Sequence, residues 1–255
     1  MRARQAMSIA SLAEQQDELA GLLTHLDDAG WASPSACEGW SVADVVLHLA
    51  QTNEMAIGSA RGDLPGAMAR LTEGVPATAG DIDDGAALMV AAQRGEAPHP
   101  VHERWQRSCG ELRAALLACA PADRLTWVAG ELAARTLGTT RLAETWIHTG
   151  DVADGLGVTL VPADRLWHIA RLAWRTIPYA FDRAGEPQPG PVAFDLVAPS
   201  GAAWAFGEPS APTVVRGPGH DLCRVASRRV TVAATELSWS GPDGESVLRL
   251  VRTWA

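Results

Sequence analysis

Two segments of the chain carry side chains suited to holding a divalent ion. Glu144 and His148, in Arg141-Leu142-Ala143-Glu144-Thr145-Trp146-Ile147-His148, stand four residues apart. On a helix that spacing stacks a carboxylate and an imidazole on one face. His48, in Val42-Ala43-Asp44-Val45-Val46-Leu47-His48-Leu49-Ala50, supplies a second imidazole from another apolar helical run. Two imidazole nitrogens and one carboxylate oxygen make a three-ligand set with positions left open for chemistry; zinc is the first choice, nickel or iron the alternatives. The local order is Glu-x-x-x-His, not the His-Glu-x-x-His of metalloproteases, so Glu144 reads as a ligand and not as a base.

Each of these residues also has a plainer reading. A lone histidine on an apolar helix is commonly a satisfied core residue, and Glu/His pairs at this spacing occur on solvated helices. Against that, Glu144 sits in an apolar stretch, where a carboxylate needs a cation, a metal or a proton. Asp151, three residues after His148, is placed to orient that ring, and Asp44, four before His48, to contact the other nitrogen of His48. For Asp44 the rival is first-turn dipole stabilisation, and for Asp151 and Asp154 it is solvation or capping at the helix end. Among the arginines that could receive an anion (Arg61, Arg70, Arg94, Arg104 and Arg141), Arg141 has the best placement, one turn before Glu144. Trp146 falls on the opposite phase of its helix and supports the helix only.

The elements that must position these groups are mainly helical. Ile9, Leu12, Gln16, Leu19, Leu23 and Leu26 mark a stripe over residues 8–28. A connector from Trp31 to Gly39 leads to Ser41, a helix cap with Asp44 in the first turn. Residues 61–80, punctuated by Pro65, Gly74, Pro76 and Gly80, read as an irregular connection with short helical turns. A helix is expected from near Ile82 and another from Val101 to Cys119 after Pro98 and Pro100; Arg124–Ala129 reads as a turn or strand-like passage. The helix carrying Glu144 is expected to start near Thr139 or Thr140 and run to about Ala153, and a further helix holds Trp167, Ile169, Leu172 and Trp174.

Past Phe181 the composition changes. Gly185, Pro187, Pro189 and Gly190 read as a linker, followed by strand-like segments at Val192–Val197, Trp204–Phe206, Thr213–Val215 and Leu237–Trp239. Helices are expected at His220–Arg229 and Val247–Val251. The expected organisation is therefore α+β overall: a four-helix bundle over residues 1–183 and a small α+β domain over 190–255.

The 255 residues suffice for a sizeable core, and the net charge of -9 argues against a general nucleic-acid or anionic-membrane surface. Arginine supplies the positive charge, with no lysine present. Cys37, Cys109, Cys119 and Cys223 are widely spaced and contain no CxxC pair, so buried free thiols are expected, with Cys37 the most exposed. Neither a secretory signal nor a membrane span is read, which makes a soluble cytoplasmic protein the expectation. Most of the ten tryptophans are assigned to packing.

Two stretches, Glu38-Gly39-Trp40-Ser41-Val42-Ala43-Asp44 followed by His48, and Arg141 to Val152, resemble the mycothiol-dependent maleylpyruvate isomerase N-terminal family. That family lies within the DNA-damage-inducible (DinB-like) four-helix metal-binding superfamily. The likeness spans roughly residues 8–180, and the segment beyond it resembles the small C-terminal domain of related actinobacterial proteins. It implies that His48, Glu144 and His148 are the metal ligands, and that a thiolate from mycothiol or another low-molecular-weight thiol sits on the metal. It implies an isomerase, adding a thiol to an alkene and eliminating it again, or a thiol transferase acting on an electrophile. The partners would be a small-molecule substrate and the thiol, with a homodimer left open. Two other readings stand beside it: a thiol-independent metal hydrolase, lyase or cyclase of secondary metabolism, and a noncatalytic metal-binding protein.

Overall fold

The computed structural model describes residues 2–74 and 82–253. Pro76 and Gly80 of the expected irregular connection lie outside the described residues. The chain divides into two compact units, residues 1–160 and 161–255.

The first unit is built on four long helices, α1 (Arg2–Leu23), α3 (Val42–Ala60), α6 (Pro98–Ala118) and α7 (Ala134–Gly155), with shorter helices α2 (Asp28–Ala32), α4 (Leu64–Leu71) and α5 (Ile82–Gln93) between them. α3 packs on α6 and α7, and α1 on the same two helices, closing a four-membered bundle. α3 is its central element. Apolar on nearly every face, it is buried along most of its length, as expected of a helix with no polar side to turn to water. Val42, Val45, Val46 and Leu49 share one cluster with Leu19, Leu23, Trp31, Trp105 and Val152. Its start is fixed by a reciprocal cap. Ser41 Oγ accepts the Asp44 N–H at 3.2 Å, and Asp44 Oδ2 accepts the Ser41 N–H at 2.9 Å.

α7 begins at Ala134, about a turn and a half before the expected Thr139. Its threonines, weak helix formers in isolation, return their hydroxyls to the helix itself. Thr139 donates to the Arg135 carbonyl, Thr145 to Arg141 (2.8 Å) and Thr149 to Thr145 (2.6 Å). Ahead of α7, β1 (Arg124–Trp127) and β2 (Gly130–Ala133) form an antiparallel hairpin, of which only the first strand was foreseen.

The second unit contains α8 (Leu166–Arg175), α9 (Ile177–Ala184), β3 (Val192–Val197), β4 (Ala203–Phe206), β5 (Thr213–Pro218), α10 (Gly219–Ala226), β6 (Ser238–Ser240) and α11 (Gly244–Leu250). The sheet order is β4-β3-β5-β6, with β3 and β5 parallel and both outer pairs antiparallel. The expected α+β domain is thus present, and the compact unit that contains it begins at Val161, so that it includes α8 and α9. Trp167 and Trp174 of α8 pack on Phe206 of β4, and Trp174 Nε1 donates to the Val192 carbonyl at 2.9 Å. The Gly185–Gly190 stretch is a loop inside this unit, held where Gly190 N–H meets Asp243.

Candidate metal centre

α3 and α7 cross the bundle side by side and bring His48, Glu144 and His148 together. His48 Nε2 lies 2.9 Å from Glu144 Oε1, and His148 Nε2 lies 3.6 Å from the same oxygen. One donor atom from each of the three residues falls within 4.8 Å of the others. Ligand atoms around a tetrahedral zinc are about 3.3 Å apart for bonds near 2 Å. The two measured separations bracket that value, so the donor set fits an ion with small side-chain shifts. The imidazoles meet edge to face with centroids 4.8 Å apart. Both histidines are buried, and the Glu144 side chain is 19% exposed, the most open of the three donors.

Electrostatics separate the two imidazoles. Burial pushes the His48 pKa down, with His148 and Arg141 adding to the effect and the bond to Glu144 opposing it, so His48 is held neutral. Burial acts the same way on His148, but the bonds to Asp151, Cys37 and Glu144 outweigh it and raise this pKa well above the ordinary value. Burial alone would raise the Glu144 carboxyl; the bonds from His148 and His48, with Arg141 nearby, hold it well below the carboxylate range. The His148 ring thus lies between two carboxylates, Asp151 at Nδ1 and Glu144 at Nε2.

Asp151 does what its spacing promised. Its Oδ2 lies 2.9 Å from His148 Nδ1, leaving Nε2 as the nitrogen facing Glu144. Asp44 does not contact His48: its carboxylate is engaged by the Ser41 cap and by Arg94 Nε at 3.0 Å, and His48 Nδ1 is buried with no partner. Of the arginines considered for anions, Arg61 pairs with Glu111, Arg70 with Asp63, Arg94 with Asp44 and Arg104 with Glu54. Arg141 differs. It is 6% exposed, its guanidinium lies over the Trp127 ring at 4.9 Å, and its Nε and Nη1 have no hydrogen-bond partner. Burial, partly offset by Glu144, lowers its pKa.

Two neighbours of the centre escaped the sequence reading. Cys37 Sγ donates to Asp151 Oδ2 at 3.0 Å and lies 3.6 Å from His148 Nδ1. The Trp40 ring stands 5.1 Å from the His48 ring. Both lie in the connector before α3. The only sequence signal for them was the run Glu38-Gly39-Trp40-Ser41, which carries no spacing rule toward residues a hundred positions away.

The family model of the mycothiol maleylpyruvate isomerase N-terminal domain matches residues 12–153. Two uncharacterized proteins of Mycobacterium tuberculosis, from strains CDC 1551 / Oshkosh and ATCC 25618 / H37Rv, are each 32% identical over 248 residues, covering 97% of this chain and 95% of theirs. Crystal structures of the mycothiol-dependent maleylpyruvate isomerase and of a histidine-to-alanine mutant superpose with TM-scores of 0.59 and 0.60. Their identities are 16% and 18%, with 92% of each chain covered, so they speak to the fold.

Proposed function

The chain belongs to the mycothiol maleylpyruvate isomerase N-terminal domain family, and from that membership we propose a metal-dependent enzyme that uses a low-molecular-weight thiol such as mycothiol. Isomerisation is the leading reaction and thiol transfer the alternative. The observation that carries the reading is the convergence of His48, Glu144 and His148 on one point of the bundle interior. These three would hold the ion, which would supply Lewis acidity and stabilise the thiolate.

The remaining work falls to the chain itself. Asp151 holds the proton on His148 Nδ1 and so keeps Nε2 available. Burial keeps His48 neutral, the form that donates a lone pair. Arg141 offers buried N–H groups without partners, an arrangement that favours an anionic group on the substrate or thiol. The surrounding apolar helices exclude water, which strengthens each of these interactions. Four cysteines outside any disulfide suit a reducing cytoplasm.

The test is metal content and thiol-dependent turnover in the native chain and in His48→Ala, Glu144→Ala and His148→Ala. Each variant should lose stoichiometric zinc and bring turnover to background. Full metal content together with full thiol-dependent turnover in all three would sink the proposal, and turnover of a substrate without any thiol would favour the hydrolase, lyase or cyclase reading.

A further inference from the structure

One short turn touches both histidines. Residues 33–41 run from the end of α2 to the cap of α3, and Pro34 pairs with Ser41 across the base of the loop. Inside it, Trp40 N–H donates to the Cys37 carbonyl at 3.0 Å, and Ser35 Oγ accepts the Cys37 N–H at 3.1 Å and donates to the Trp40 carbonyl at 2.8 Å. These bonds fix Cys37 and Trp40 relative to each other. Trp40 faces His48, and Cys37 faces His148 through Asp151.

The turn is also tied down from outside on two sides. Ala36 N–H donates to the Asp151 carbonyl at 2.9 Å, so the main chain and the side chain of Asp151 hold the same loop. Where α7 ends, a methyl group added at Gly155 would lie 2.3 Å from the Pro34 carbonyl oxygen; only glycine allows the helix to approach the loop so closely. Just past α5, Arg94 Nη2 donates to the Gly39 carbonyl at 3.1 Å while its Nε holds Asp44.

We propose that the Cys37–Trp40 turn is a clamp that sets both imidazoles of the centre, with Cys37 as the positioning residue for His148. The chemistry of the thiol explains the choice of residue. Two donors, Cys37 S–H and His148 Nδ1–H, converge on the single oxygen Oδ2 of Asp151, which is 1% exposed. An Asp151 carboxylate held by one donor could rotate about its last bond; held by two donors and by its own backbone, it has one orientation, and so has the ring it orients. The thiol touches neither substrate nor ion in this role. It acts through Asp151.

The affinity part of the test rests on the metal-centre reading above; the spectroscopic part does not. In the full chain, zinc affinity is measured by chelator competition, and the shift and exchange rate of the proton on His148 Nδ1 by NMR of the metal-free protein. Cys37→Ala should weaken zinc binding about 10-fold, the usual effect of losing an outer partner of a ligand. It should also speed exchange of the Nδ1 proton. Cys37→Ser, which restores a donor, should return both readings to near the native value, a rescue that a purely space-filling thiol would not give. Arg94→Ala, at a half-exposed side chain, should speed exchange of the same proton by freeing Gly39. Unchanged proton exchange in Cys37→Ala overturns the proposal. Loss of the slow proton in Cys37→Ala, in a native protein that takes up no zinc, would support the clamp and reject the metal reading alone.

Discussion

Two histidines, one in each unit, end with pKa values shifted in opposite directions. Burial is the largest influence on both and disfavours the charged ring. In the helical unit, His148 is surrounded by Asp151, Glu144 and Cys37, and its pKa rises well above the ordinary value. In the α+β unit, His168 has Trp167 edge-on at 5.1 Å and Arg171 as its charged neighbour, and its pKa falls to about 4. The first unit gathers buried charge around one point, which costs stability unless each group is answered. The second unit keeps its interior neutral and packs aromatic rings and aliphatic side chains instead. The helical unit has buried and paired charge at one point; among the described residues of the other unit, the buried polar side chains are Thr213, Ser227 and Thr253, all neutral.

The largest change is expected from Phe206→Ala, which removes the ring that both Trp167 and Trp174 pack against. A buried phenylalanine truncated to alanine costs about 3–5 kcal/mol, and hydrogen exchange at the β3 and β5 amides should accelerate accordingly while zinc content stays at the native level. Loss of zinc in this variant would break the separation of roles.

Next comes acidification. His168 has a folded pKa below the unfolded value, so the unfolded chain takes up its proton first as pH falls. Its contribution is complete above about 6.5 and is lost as pH falls toward about 4. With partial solvent screening of a half-buried ring, the loss should be roughly 2 kcal/mol. His168→Leu should flatten the pH dependence of exchange in the second unit; an unchanged slope would show that another group drives it. The smallest effect is expected from Ser41→Ala, which removes one half of the α3 cap at a cost of about 1 kcal/mol and should appear as a lower melting temperature with zinc still bound.

How much of this was legible in the sequence depends on range. Glu144, His148 and Asp151 lie within two turns of one helix, and helical geometry alone brings them to one side. Ser41 and Asp44 are equally local. His48 joined them through a motif resemblance, since its contact with Glu144 spans 96 residues. Cys37 had neither aid: its bond to Asp151 spans 114 residues, and thiols have no spacing signature unless they come in pairs. Arg141 stood out for its position, but what distinguishes it from Arg94 and Arg104 is the absence of a carboxylate partner, a property of packing. The Gly185–Gly190 stretch, read as a linker, is a loop inside the second compact unit, because Pro and Gly mark loops within units as readily as linkers between them. α7 starts at Ala134, ahead of the expected Thr139, whose hydroxyl donates to the Arg135 carbonyl inside the helix.

The 96-residue gap between His48 and Glu144 also sets a timetable. At ribosomal rates of roughly 5–20 residues per second, His48 leaves the peptidyl-transferase centre about 5–20 s before Glu144 is added. During that interval α3 has no α7 to pack against, and Asp151 has not yet been made to receive the turn that carries Cys37. The earlier half of the cluster must therefore wait in an unfinished bundle, and the three side chains meet only after synthesis of α7, late in the making of each chain.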